Sequence, residues 1–235
     1  MKKSKKYLEN RKKIEDKCYS LKDSINLIKD ISSANFDESV EMHLLTYADP
    51  KNSEEQIRTV ADLPHGTGKV VRVLVFAEGD AAVTAKESGA DYISDDEIVK
   101  KIEKGWLDFD VAIATPDQMS KIGKLGKYLG RKGLMPNPKT GTVVQPQNIA
   151  KTIEASRKGR TEIKLDSSSV IHFNVGKSSF SDNQLIENLK SVVKTILDSK
   201  PEGLKGRLMK KASISTTMGP GIQLDIEDLE SSVLN

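Results

Sequence analysis

The feature that most limits the possible folds is a hydrophobic period that changes twice along the chain. Near the N-terminus Val40, Met42 and Leu44 alternate with Ser39, Glu41 and His43, the period of a half-buried strand with His43 facing outward. After the turn-rich run Pro64-His65-Gly66-Thr67-Gly68 the pattern becomes compact apolar strands alternating with helices, and around Gly159 it reverts to short alternating strands. Strand–helix alternation predicts a parallel sheet covered by helices, whereas short alternating strands predict antiparallel pairing. The two ends therefore form a discontinuous outer domain, and an α/β segment is inserted between crossings near Gly66–Gly68 and Lys158–Gly159. The first crossing reads as a linker or hinge. A length of 235 residues, at roughly 150 per domain, accommodates this division.

Local signals place the elements. Ser20 and Asp23 resemble a capping box ahead of Leu21, Ile25, Ile28 and Ile31, which predicts an amphipathic helix to about Ser32, with Phe36 just beyond it. In the insertion, strands are predicted at Val70–Phe76, Tyr92–Ile93 and Val111–Ala114. Helices are predicted over Gly79–Ser88, from a Ser94 cap to Gly105, and after Thr115-Pro116-Asp117-Gln118 read as N-cap, N1 proline and capping-box glutamine. Thr161–Leu165 and Val170–Val175, joined by Asp166-Ser167-Ser168-Ser169, predict a hairpin with Ile171, Phe173 and Val175 on one face and His172 and Asn174 on the other. Ser181 and Gln184 open a long helix bearing Leu185, Leu189, Val192 and Ile196, and a last strand runs from about Leu208 to Thr217.

Several function classes are disfavoured at once. No apolar run approaches the ~18–20 residues a membrane span needs. The basic N-terminus runs into Ile14, Glu15 and Asp16 rather than an apolar core, so it is not a secretory signal. Cys18 is the sole cysteine; it excludes an internal disulfide and a cysteine-rich metal site, fits a reducing compartment, and reads as a small packing residue. Net charge is only +3, yet it is segregated: seven bases against one acid in Met1–Lys13, six bases and no acid in Lys121–Thr140, four acids and no base in Leu224–Asn235. Such segregation suggests a polyanionic partner at particular surfaces. The Lys-rich leader is expected to be disordered until it meets such a partner, and the acidic tail suggests no role.

Phosphate motifs do not stand where a nucleotide enzyme needs them. Gly66-Thr67-Gly68 precedes its strand, and Val71 occupies the third glycine position; Gly176-Lys177-Ser178 copies the end of a P-loop, but Ile171 stands where that loop needs glycine. His43, His65 and His172 are dispersed, with no metal-ligand spacing and no nucleophile elbow. Two positive signals remain. Gly130–Val143 (GRKGLMPNPKTGTV) reads as an extended loop fixed by glycine and proline that offers Arg131, Lys132 and Lys139 to phosphates. Ser213, Ser215 and Thr217 alternate along the last strand ahead of Met218 and Gly219, a flat hydroxylated face that a ribose-phosphate backbone can approach, with Met218 or Phe36 able to pack on a sugar or base.

Gly130–Val143 also closely resembles the signature of the bacterial large ribosomal subunit protein one family. Phe36–Glu41, Leu63–Lys69, Gly89–Asp91, Ala114–Asp117, Ile171-His172, Val175–Lys177 and Ser215–Gly219 resemble it in the same order, over nearly the whole chain. The resemblance implies an α/β fold of two domains, an α+β rRNA-binding domain from both termini (residues 1–67 and 159–235) and an inserted Rossmann-like three-layer α/β domain (residues 68–158). It implies a non-catalytic protein without cofactors, a monomer when free, that binds large-subunit (23S) rRNA at the mobile stalk in the cytoplasm or an organelle matrix. It further implies help in releasing deacylated exit-site tRNA, and repression of its own operon's mRNA. By matching position, rRNA contacts fall on Phe36, Thr217, Met218 and Gly219, with His172 and Lys177 beside them; Ser213 and Ser215 follow from strand alternation, and Arg131, Lys132 and Lys139 would face tRNA or stalk RNA. Two departures stand out: Asn35 where the family usually has a base, and a turn at Asp166–Ser169 with neither cation nor glycine. The competing readings are a nucleotide-binding enzyme, for which saturable nucleotide binding is expected, and a free translational repressor that does not reside on ribosomes.

Overall fold

The computed structural model describes residues 4–234. In chain order the elements are α1 (Lys5–Lys12), α2 (Leu21–Asp30), β1 (Ser39–Thr46), β2 (Arg58–Asp62), β3 (Val73–Phe76), α3 (Asp80–Glu87), β4 (Tyr92–Ile93), α4 (Asp96–Glu103) and β5 (Val111–Ala114). There follow α5 (Met119–Lys132), α6 (Ile149–Lys158), β6 (Arg160–Lys164), β7 (Val170–Lys177), α7 (Asp182–Asp198), β8 (Met209–Thr216), β9 (Ile222–Leu224) and α8 (Ile226–Leu234). They form two compact units, one from both chain ends, up to Gly68 and from Gly159 on, the other Lys69–Lys158.

The outer unit is built on an antiparallel sheet of order β7-β1-β8-β9. Period-two alternation puts Val40, Met42 and Leu44 of β1, Ile171, Phe173 and Val175 of β7, and Ala212 and Ile214 of β8 on one buried face. That face shares a core with Ile25 and Ile28 of α2 and Leu185, Leu189, Val192 and Ile196 of α7. Each large aliphatic side chain buried there contributes about 1.5–3 kcal/mol, which fixes the register and turns the opposite face of the sheet to solvent. Ser181 caps α7 with a complete box: its hydroxyl accepts from the Gln184 N–H while the Gln184 side chain accepts from the Ser181 N–H.

Several expectations need correction. The two strands after Gly159 are not a hairpin: β6 pairs with β2, and β7 with β1, leaving a single bridge between Leu165 and Ile171. The strand β2 has no clear alternation of its own and is held by its partner, so nothing in the sequence announced it. The leader is ordered from Lys5: Ser4 caps α1, and the buried Asn10 donates to Ile31 O (2.7 Å) and Ser33 Oγ (3.2 Å); Met1–Lys3 lie outside the described residues. The acidic tail forms α8, where Asp228 accepts from the Leu21 N–H (2.8 Å) and caps the first turn of α2. Cys18 is exposed rather than packed, because it precedes the Ser20 cap that starts the apolar face of α2.

The inserted unit is a parallel sheet of order β4-β3-β5. All four residues of β3 are buried because helices cover both faces: Leu74 and Phe76 pack with Ile122, Leu125 and Leu129 of α5, and Val73 and Val75 with Ile149 and Ile153 of α6. The strand starts at Val73, where pairing with Val111 begins; Val70 is 87% exposed. Asp95, not Ser94, caps α4, its carboxylate accepting from Ile98 N–H at 2.7 Å, while the Ser94 N–H extends the sheet by donating to Val75 O. Thr115 makes no side-chain cap, since a 3-10 turn at Pro116–Gln118 separates it from α5.

Gly159 returns the chain to the outer unit at φ +115°, with its carbonyl accepting from the Leu63 N–H, and a β-carbon there would overlap the Gly66 backbone. Gly159→Ala is expected to destabilise the outer unit by about 2 kcal/mol or more, the left-handed strain plus the clash. Urea unfolding followed by far-UV circular dichroism measures it, and an unchanged midpoint would show that the crossing relaxes freely.

Candidate nucleic-acid interface

The solvent face of the outer sheet carries the complementary half of the alternation. Pairing sets His43 opposite both His172 and Ser213, and Glu41 opposite both Asn174 and Ser215. Short hydroxyls and two imidazoles therefore share one surface, flat enough for a sugar-phosphate chain to lie close. Thr217 falls just beyond the end of β8 yet still joins β1. Its N–H donates to Ser39 O (3.1 Å), and its Oγ1 accepts from the Ser39 N–H (3.0 Å). The hydroxyl thus holds a strand end as well as facing solvent, which alternation alone did not show.

What brings the two chain ends into one site is a residue the sequence reading did not single out. Glu38 is 1% exposed, and its carboxylate is ringed by donors from both loops. Oε1 accepts from Ser32 Oγ (3.0 Å), Ser33 N–H (3.1 Å) and Ala34 N–H (3.0 Å), while Oε2 accepts from Met218 N–H (2.9 Å). One anion thereby fixes the loop that presents Phe36 and the loop that presents Met218. Burial pushes this carboxyl up, but the N–H groups of Met218 and Ala34 and the Ser32 hydroxyl outweigh that and hold it below its ordinary value. Glu38 shares the parity of the inward-facing Val40, Met42 and Leu44, so alternation was a clue to its burial, but the Met218 N–H that it holds lies 180 residues further along the chain.

The apolar tips that these loops carry are open: Phe36 is 55% and Met218 63% exposed. Gly219 must be small, because a β-carbon there would collide with the Thr216 hydroxyl. Lys177 reaches across from β7, its Nζ donating to Ser39 Oγ (2.9 Å), so a cation sits beside the Ser39–Thr217 junction. Asp37 ties the same loop to the turn after β7, accepting from Ser178 Oγ, Ser179 N–H and Ser179 Oγ. Of the residues proposed from sequence, Phe36, Lys177, Thr217, Met218 and Gly219 cluster around this junction, and His172, Ser213 and Ser215 lie on the sheet face that leads from it.

The histidines are not all dispersed. His43 and His172 meet on the sheet with Nδ1 atoms 2.8 Å apart, His43 Nε2 lies 3.3 Å from Ser215 Oγ, and His172 Nε2 lies 3.4 Å from Asp166. Only cross-strand register could reveal the pair. Burial and then repulsion from His172 lower the pKa of His43, and Glu41 opposes this more weakly. Below its ordinary value the unfolded chain therefore binds more protons at this site than the folded chain, so stability is lost as pH falls through 6.5. His43→Gln should flatten that slope; urea midpoints at pH 7.5 and pH 5.5 measure it, and an equal slope in the variant would place the titration elsewhere.

In the inserted unit the basic signature is only partly a loop. Arg131 and Lys132 form the last turn of α5, which Gly133 closes in the left-handed conformation, where cations complement the exposed carbonyls. Lys139 follows on a 3-10 turn whose N–H bonds to Asn137 Oδ1 (2.8 Å). All three are exposed and have no acidic partner among the described residues. At the carboxyl ends of β3, β4 and β5, where doubly wound sheets bind ligands, lies a cleft of about 40 Å³ lined by Glu78, Asp95 and Asp96, with Lys121 paired to Glu78. Its size and its carboxylates oppose a nucleotide phosphate. The described residues hold no cluster of three or more potential metal ligands and no helix long and apolar enough to cross a membrane.

Comparison with known proteins decides the lineage. Residues 28–220 match the Ribosomal protein L1p/L10e family. Large ribosomal subunit protein uL1 of Dehalococcoides mccartyi is 57% identical over 209 residues, 89% of this chain and 88% of that protein. The uL1 proteins of Fervidobacterium nodosum (51% over 228 residues, 96% of each chain) and Thermomicrobium roseum (46% over 224 residues, 94% of this chain and 93% of that one) are also similar. The chain belongs to the ribosomal protein L1 family. Two positions singled out from the sequence can be placed in this L1-family chain. Asn35 is exposed beside Phe36 and supplies no charge there. At the Asp166–Ser169 turn Ser169 takes φ +61°, the left-handed region that favours glycine, and Asp166 accepts from the Ser168 and Val170 N–H groups.

Proposed function

We propose that this L1-family chain, a structural, non-enzymatic constituent of the large ribosomal subunit, holds large-subunit (23S) rRNA at the mobile stalk on the solvent face of its outer unit. Phe36 and Met218 pack on bases or riboses, Thr217, Ser215 and Ser213 exchange hydrogen bonds with riboses and phosphates, Gly219 allows close approach, and Lys177 with His172 meets phosphate. The single observation that carries this reading is the Glu38 carboxylate, which joins the loops from opposite chain ends into one surface with two exposed apolar tips. An interior anion serving two surface loops makes sense where those loops must keep a fixed shape for a ligand. In the same reading Arg131, Lys132 and Lys139 meet exit-site tRNA or stalk RNA and assist its release, and the rRNA face also takes a like structure in the protein's own mRNA, in the cytoplasm.

Filter binding of the Thr217→Val variant tests the site. Valine removes the acceptor for the Ser39 N–H, so stability is expected to fall by about 1 kcal/mol, while rRNA affinity falls several-fold. Unchanged affinity would remove Thr217 from the site. Calorimetry with ATP and NAD, beside sequencing of RNA captured by the protein, separates this reading from a nucleotide enzyme: saturable nucleotide binding with no enriched rRNA would contradict it.

A further inference from the structure

The outer sheet face continues past Ser213 into a groove that, apart from Ser213 itself, none of the assigned contacts lines. Its floor is Lys211 and Ser213 of β8 with Gln223 of β9; its wall is the segment from Arg11 to Cys18; together they enclose about 420 Å³, within the size range of small-ligand sites. The wall is pinned at both ends. Asn10 bonds to Ile31 O and to Ser33, the residue whose N–H also serves Glu38, and Tyr19 exchanges backbone bonds with Gln223 O and Asp225 N–H. The groove is therefore tied to the same loop that presents Phe36, and Ser213 belongs to both surfaces.

Its chemistry is mixed in the way a nucleotide is. Ile14 offers apolar contact, Ser213 and Gln223 offer hydrogen bonds, and Arg11, Lys17 and Lys211 offer positive charge. Glu15 and Asp16 offset part of that charge: Lys17 pairs with Glu15 at 2.6 Å and Arg11 with the fully exposed Asp16 at 3.6 Å, a loose pair that a phosphate can displace. Lys211 has no acidic partner among the described residues and is the cation free to meet a phosphate.

We propose that this groove is a second RNA contact, seating one unpaired nucleotide of the same rRNA, its base and ribose against Ile14, Ser213 and Gln223 and its phosphate on Lys211 with Arg11. The inference rests on the rRNA reading of the sheet face and extends it. Cys18, the only cysteine, lines the groove and is exposed, which makes it a reporter. The full chain is titrated with a large-subunit rRNA fragment carrying the stalk, and alkylation of Cys18 by N-ethylmaleimide is timed with and without saturating RNA. Bound RNA is expected to slow alkylation at least tenfold, and Lys211→Ala to lower the slope of log K against log salt by about 0.7–0.9, the loss of one phosphate contact. Tight RNA binding with unchanged alkylation and an unchanged slope for Lys211→Ala would overturn the groove while leaving the sheet face intact. Absence of rRNA binding altogether would overturn both.

Discussion

Glu38→Gln is expected to unfold the site before it unfolds the protein. The carboxylate accepts hydrogen bonds on both oxygens, from Ser32, Ser33, Ala34 and Met218, in a position 1% exposed. Glutamine keeps the shape but turns one acceptor into a donor facing N–H donors, and it removes the charge that strengthens every bond. The loss is about 3 kcal/mol, from one charge-assisted bond replaced by a buried mismatch, which for a chain of this size lowers the melting temperature by about 6–12 °C. Because both loops lose their anchor together, rRNA affinity should fall far more than for any single contact residue. Asp37→Asn is the control: its partners Ser178 and Ser179 lie at the surface, so the cost should be about 1 kcal/mol or less. A second signature is acid sensitivity. A carboxyl held below its ordinary value of 4.5 adds stability above that pH and loses it as pH falls through the folded value, so Glu38→Gln should show a shallower acid slope below pH 4.5 than the parent chain. Thermal melts of both variants across that range, with rRNA titration at neutral pH, give the answer; a Glu38→Gln protein of parental stability and affinity would show that the loops do not depend on this anion.

The double variant Phe36→Ala/Met218→Ala is expected to do the opposite, sparing the fold and abolishing recognition. Both side chains project mostly into solvent, at 55% and 63% exposure, so truncation leaves no buried cavity and stability should stay within about 0.5 kcal/mol of the parent. Each loses a stacking or packing contact with a base or sugar, typically about 1–3 kcal/mol, so the pair should weaken rRNA binding by roughly 30- to 20,000-fold. The salt dependence should scarcely change, since no cation is removed. Equilibrium titration at two salt concentrations separates the terms. Parental affinity in a folded double variant would mean that the exposed tips are not contacts.

Much of this was legible in the residues because strict periods leave little choice. The alternation in β1, β7 and β8 assigned inner and outer faces correctly, so Ser213, Ser215, His43 and His172 were placed on the open surface from sequence spacing alone. The box at Ser181 and Gln184 and the cap at Ser20 formed as local chemistry dictates. Apart from local slips such as the cap at Asp95 and the 3-10 turn after Thr115, the misses share a cause, which is that their information lies in a partner elsewhere along the chain. Pairing of β2 with β6, the meeting of His43 with His172 and the bond from Met218 to Glu38 each join segments more than 90 residues apart. Asn10 likewise orders α1 through Ile31 and Ser33, which no helical pattern in a lysine-rich leader could announce. Thr217 shows the intermediate case: alternation gave its direction, but its bond to Ser39 made it a joint as well as a contact.

The most direct test of the central claim is ultraviolet cross-linking of the full chain to large-subunit rRNA, with the linked peptides mapped by mass spectrometry. Cross-links are expected in peptides spanning residues 32–43, 170–179 and 209–219, the three segments that build the outer face. Efficient cross-linking confined to residues 69–158 would contradict the account.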